Sequence, residues 1–168
     1  MKRLVILNLL FLFISKSLFS QEIVDTIIRL PEFYKGYGVI FSENYIPPVN
    51  MDDIIGRYTP SISEIRIAEE VLCENFNNLF MTNPQYINFT PINNVKRHFK
   101  HWNRQYLAYI EKNGDKIIWI QLLNFSNKRE EREGFTDWKK EFIFGFGDFY
   151  EENTRIHGVN LTKKILFF

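Results

Sequence analysis

Three histidines, one cysteine and several acidic pairs are the residues of this chain that could carry chemistry. His98 and His101, in RHFKH, have the three-residue spacing that puts two imidazoles on one side of a helix, as a metal pair requires. Spacing supplies no third ligand, and Lys96, Arg97 and Lys100 would repel a cation, so these are read as surface histidines and no metal is assigned. His157 stands alone in a late segment patterned as a strand. Cys73 beside a histidine would be a thiol nucleophile, but Glu70 and Glu74 are its helical neighbours and raise a thiol pKa. A small packed thiol is the expectation. GFGDF, residues 145–149, has neither the lysine of a phosphate-binding loop nor a dinucleotide fingerprint, and its glycines suit a bend or bulge. Asp52-Asp53, Glu130-Glu131 and Glu151-Glu152 are adjacent pairs, which point apart on a strand rather than across a cleft. No catalytic residue and no cofactor is therefore assigned.

Binding is the more promising chemistry. WNRQYLAYIEKNGDKIIWIQLLNF, residues 102–125, reads as two strands around Asn113-Gly114. A two-residue turn pairs Lys112 with Asp115, Tyr106 with Gln121, Ala108 with Trp119 and Arg104 with Leu123. One face would then carry Gln105, Leu107, Tyr109 and Glu111 beside Lys116, Ile118, Ile120 and Leu122, and suits a covering helix. The other would gather Arg104, Tyr106, Trp119 and Gln121, a mixture typical of a surface that meets something. Those four are the candidate binding residues, for an envelope protein, a small ligand or a second copy of the chain. The competing expectation is that residues 21–56 or 128–140 cover that face.

The elements around this hairpin are unevenly legible. In YTPSISEIRIAEEVLCENFNNLFM, Ser61 and Glu64 have capping-box spacing, and Ile65, Ala68, Leu72, Phe76 and Leu79 draw one apolar stripe. About 18 residues of amphipathic helix are predicted, with Arg66, Glu69, Glu70 and Glu74 on other faces and Asn83-Pro84 as the stop. INNVKRHFKHW suggests a short second helix. Tyr37–Ser42, FIFGFGDFY, TRIHGVNL and ILFF read as strands, with Thr162 to Lys164 turning the last, and SNKREEREGFTDWKKE as a polar excursion pinned by Trp138. Residues 22–36 are ambiguous. The expected fold is α+β: one main amphipathic helix on an antiparallel meander of about four strands, as one domain over 21–168.

The ends and composition narrow the setting. MKRLVILNLLFLFISKSLFSQ has a short basic start, an apolar run from Leu4 to Ile14 and serines at 15, 17 and 20. That is the pattern of a signal peptide, cleaved after Ser17 or Ser20, and the run is too short to span a bilayer. Loss of residues 1–20 leaves 148 residues with 18 basic against 20 acidic, an even balance that does not point to nucleic acid or an anionic membrane surface. Cys73 alone cannot form an intrachain disulfide, which fits a bacterial periplasmic or extracellular protein better than a small secreted animal domain.

The ordering of RYTPSISEIRIAEE, NRQYLAYIEKNGDKIIWI and GFGDFYEENTRIHGVNL resembles small exported bacterial proteins of uncharacterised function, over residues 57–168. Helix followed by meander also resembles the cystatin-like shape. Neither resemblance carries an activity. The resulting expectation is an exported, non-enzymatic binding protein. A self-associating structural protein using the Trp119 face is second, and a small secreted hydrolase third.

Overall fold

The computed structural model describes residues 26–51, 53–82, 92–126 and 134–167. In chain order its elements are β1 (Thr26–Ile28), β2 (Gly38–Ile40), β3 (Ile54–Arg57), α1 (Ile62–Thr82), α2 (Val95–His98), β4 (Asn103–Glu111), β5 (Lys116–Leu123), α3 (Asp148–Asn153), β6 (Thr154–Asn160) and β7 (Ile165–Phe167). The seven strands form one mixed sheet in the order β1-β2-β4-β5-β6-β7, with β3 also on β4. β5 lines one edge of β4, so β2 and β3 divide the other between them. β2 runs parallel to Arg104–Tyr106, and β3 antiparallel to the Tyr109–Glu111 end.

This overturns the expected cystatin-like arrangement of one helix on four strands. The β4–β7 meander is present, but the protein is sheet-dominated, and α1 is its one helix longer than six residues among those described. The unforeseen strands, β1 and β3, are three and four residues long, too short to show an alternation, whereas β2 falls within the expected Tyr37–Ser42 strand. FIFGFGDFY is also not a strand: it is irregular up to Gly147 and then forms α3. Gly147 adopts φ +94° at the start of that helix, a conformation open to glycine.

α1 forms where its sequence signals. Glu64 accepts from the Ser61 backbone N–H at 2.9 Å, while Ser61 Oγ accepts from the Glu64 N–H at 3.2 Å, closing the capping box. Ile65, Ala68, Leu72 and Phe76 are buried against the sheet, and Leu79 packs at the margin. The expected stop at Asn83-Pro84 lies outside the described residues.

The hairpin corrects the predicted register by one residue. Asn113 keeps a negative φ and only Gly114, at +88°, enters the left-handed region. A two-residue turn of the predicted kind needs both positive, so the loop takes three residues, Lys112 to Gly114, and Glu111 pairs with Asp115. Asn113 Oδ1 holds this shape by accepting from the Asp115 N–H at 2.8 Å. Tyr106 therefore lies opposite Ile120 and Leu107 opposite Trp119. A one-residue slip re-sorts the faces of the whole ribbon.

Two cores result, one on each side of the sheet. Even-numbered residues of β4 and β5 (Tyr106, Ala108, Ile118, Ile120, Leu122) join α1, Val95, Phe99 and the Leu30–Tyr34 turn. Odd-numbered ones (Leu107, Leu123) join Val39 and Phe41 with Phe135, Trp138, Phe142 and Ile143. Among the described residues, this second layer is formed by the chain around Phe135 to Ile143. It is tied down by Gln105, whose amide donates to the carbonyls of Trp138 (2.5 Å) and Glu141 (2.7 Å) and whose oxygen accepts from the Ile143 N–H (2.8 Å). Arg57 fixes the other flank, donating to the carbonyls of Tyr45 (2.5 Å), Ser42 (3.2 Å) and Ala108 (3.1 Å).

Candidate functional site

The four candidate binding residues do not share a face. Arg104 and Tyr106 point under α1, while Trp119 and Gln121 lie on the opposite side of the sheet. The register accounts for the split, because even-numbered β4 residues align with even-numbered β5 residues.

Arg104 and Tyr106 belong to a buried polar cluster. Arg104 Nε donates to Glu69 Oε1 at 3.1 Å, and Tyr106 Oη lies 2.9 Å from the same oxygen. Tyr34 Oη lies 3.0 Å from Tyr106 Oη, and the Tyr34 ring has the Arg104 guanidinium 4.7 Å from its centroid. The remaining guanidinium donors reach the carbonyls of Trp102 (3.0 Å) and Phe99 (3.4 Å). Arg104 is 2% exposed and Glu69 1%, so the pair is sealed from water. Burial, reinforced by the Glu69 charge, pushes the Tyr106 hydroxyl well above its usual range, and Tyr34 moves the same way, mainly through burial. These groups are proton donors and charge partners for one another, locking α1 to β4 and the Leu30–Tyr34 turn. Glu69 was assigned to another face of α1 by sequence. Its spacing of four from Ile65 and three from Leu72 already put it at the edge of the apolar stripe. Tyr34 gave no such signal, lying in the ambiguous segment.

The other chemical candidates resolve separately. Cys73 is half-buried, and its thiol is pushed up to about 12 by burial and the Glu69 charge, which makes it a poor nucleophile. His157 lies edge-on to Phe76 at 5.2 Å between ring centroids, and burial with the Arg155 and Arg104 charges pushes its pKa down to about 3. No group of three potential metal ligands occurs among the described residues. Asp148 and Glu151 are on α3, where Gly145 leaves the space in which the Tyr150 ring packs.

Trp119 and Gln121 lie where the second layer ends. Trp119 is half-buried, with Tyr109 edge-on at 5.7 Å and Phe142 at 6.5 Å, and it forms a register row with Gly158 and Phe167. A Cβ on Gly158 would come within 2.5 Å of the Phe167 ring, so the missing side chain lets that ring lie across β6. Ile156, aligned with Gln121, and Ile165, 51% exposed, continue the same side of the sheet to its edge. Beyond Phe142 the chain presents Phe144 and Phe146, 50% and 85% exposed, as an edge-on pair at 5.2 Å. The structure thus leaves an apolar margin around Trp119 that Arg104 and Tyr106 do not reach.

No known protein family, curated protein or solved structure matches the chain.

Proposed function

We propose that the protein is an exported, non-enzymatic binding or interaction protein of the bacterial envelope, and that it makes contact through the Trp119 margin of the sheet. The supporting observation is where the two kinds of side chain lie. Glu69, Arg104 and Tyr106 are buried and hydrogen-bonded to one another, and His157 is buried beside Phe76, whereas Trp119, Phe144, Phe146, Ile156 and Ile165 present apolar surface. An exposed apolar margin of this kind marks a contact site more readily than a solvated one. Expression of tagged full-length chain in a bacterial envelope, with Phe146→Ser and Ile165→Thr as variants, tests the reading. The expected result is a processed product whose envelope partner is lost in the variants while thermal melting is unchanged. Retention of the partner by the double variant would refute the surface, and an unprocessed cytoplasmic product would refute export.

Self-association is the second reading, favoured by the continuation of the margin to Ile165 on the terminal strand β7. It predicts a dimer whose sedimentation depends on concentration and which Ile165→Thr dissociates.

A further inference from the structure

An even count of charges over the chain conceals their segregation. The β1–β2 connection and the stretch from α2 into β4 are far apart in sequence but meet at one end of the sheet. There the Lys35 N–H donates to the Lys100 carbonyl at 2.6 Å, and the Tyr37 N–H to Asn103 Oδ1 at 2.8 Å. Arg29 lies over the Tyr37 ring at 4.2 Å from its centroid, Lys139 approaches the same ring at 5.9 Å, and Lys96 lies over Phe33 at 4.6 Å. Arg97 follows Lys96 on the short helix. None of these six cations takes part in an ion pair among the described residues. The acid within the two stretches, Glu32, is bound by Arg66 at 3.2 Å. Asp137 and Glu141 flank Lys139 in sequence, and the acids of α3 belong to a different segment.

We propose that this end of the protein is a docking surface for an anionic lipid bilayer, separate from the Trp119 margin. The cations stand on three segments, with Arg29 and Lys139 at the Tyr37 ring and Lys96 at the Phe33 ring, so their charge is not gathered on one point. A charged plane matches such a display, whereas a single small anion calls for donors converging on one point. Part-exposed Tyr37 and Trp102 beside the cations supply the amphipathic rings that favour a membrane–water interface.

Vesicle sedimentation of the full chain tests this, comparing phosphatidylglycerol with phosphatidylcholine at low salt and at about 0.5 M salt. Residues 1–20 carry Lys2, Arg3 and Lys16 beside the apolar run and would themselves favour the anionic lipid, so the readout is the change in that preference between variants. The expected result is binding roughly tenfold or more tighter to the anionic vesicles, abolished by high salt. Lys35→Gln with Lys100→Gln should reduce it roughly tenfold or more, at about fivefold per cation. Lys112→Gln with Lys164→Gln, at the opposite end, should leave it unchanged. Circular dichroism confirms that each variant is folded. Equal binding to the two lipids, or equal losses in both variant pairs, would overturn the proposal. So would soluble polyphosphate competing with the vesicles at matched charge, which would assign the surface to a free polyanion.

Discussion

Glu69 and Arg104 have exchanged their water for each other, for Tyr106 and for the carbonyls that close β4's entrance, and the exchange holds only while both are present. Removing one partner of a buried pair leaves an uncompensated charge, costing about 3–5 kcal/mol, whereas replacing both with apolar groups of similar size can be neutral. Arg104→Met alone should therefore lower the stability in urea melts by about that amount. Adding Glu69→Leu should recover most of it. A single variant no worse than the double would mean that the pair is not coupled. His157 gives a pH-dependent counterpart. Its folded pKa, pushed down to about 3, lies below its ordinary value near 6.5, so the folded state favours the neutral ring. Between those values the unfolded chain binds the extra proton. The stabilisation is complete above about pH 7 and falls by up to about 1.4 kcal/mol per unit as pH drops through the acidic range. Melts between pH 7 and 4.5 should show this slope, and His157→Gln should flatten it. An unchanged slope in the variant would assign it to other groups. The pairing of Arg104 with Tyr106, and of Trp119 with Gln121, was legible in sequence because alternation along a strand survives any register. Which pair faces the helix was not, since it turns on one backbone angle at Asn113.

At the scale of elements, legibility followed length and local punctuation. α1 announces itself through Ser61, Glu64 and a stripe of four deeply buried residues, and β6 and β7 through runs bounded by turn residues. β2 is marked by the run Tyr37–Ser42 that contains it, but β1 and β3 are not marked, and the partners of all three are encoded by no local pattern. The helix stripe makes a direct prediction. Leu72→Ala, at a site with no exposure, should cost about 2–5 kcal/mol, and exposed Glu70→Ala well under 1 kcal/mol, in paired urea melts. Similar losses at both would show the helix to be rotated from this packing.

At the scale of the whole molecule, the sheet is a partition with a core on either side, α1 and the Leu30–Tyr34 turn on one and the described chain from Phe135 to Ile143 on the other. Both faces of the β4–β5 ribbon are therefore covered, the second one incompletely near β6 and β7. No helix among the described residues is long and apolar enough to cross a membrane.

The parallel seating of β2 on β4 has a consequence in time. A ribosome delivers Val39, Ile40 and Phe41 well before it delivers Arg104–Tyr106, the backbone they hydrogen-bond to. In the later meander β4–β5 and β6–β7 close through short connections, while β6 joins β5 only after residues 124–153, and throughout this time the other side of β4 can still be vacant. The early strands must then find that vacancy from a distance, and pairings of this long-range kind are the slow ones in folding. Until they arrive, three large apolar residues in a row have no cover, and this is the interval in which a holding chaperone would matter most to the chain.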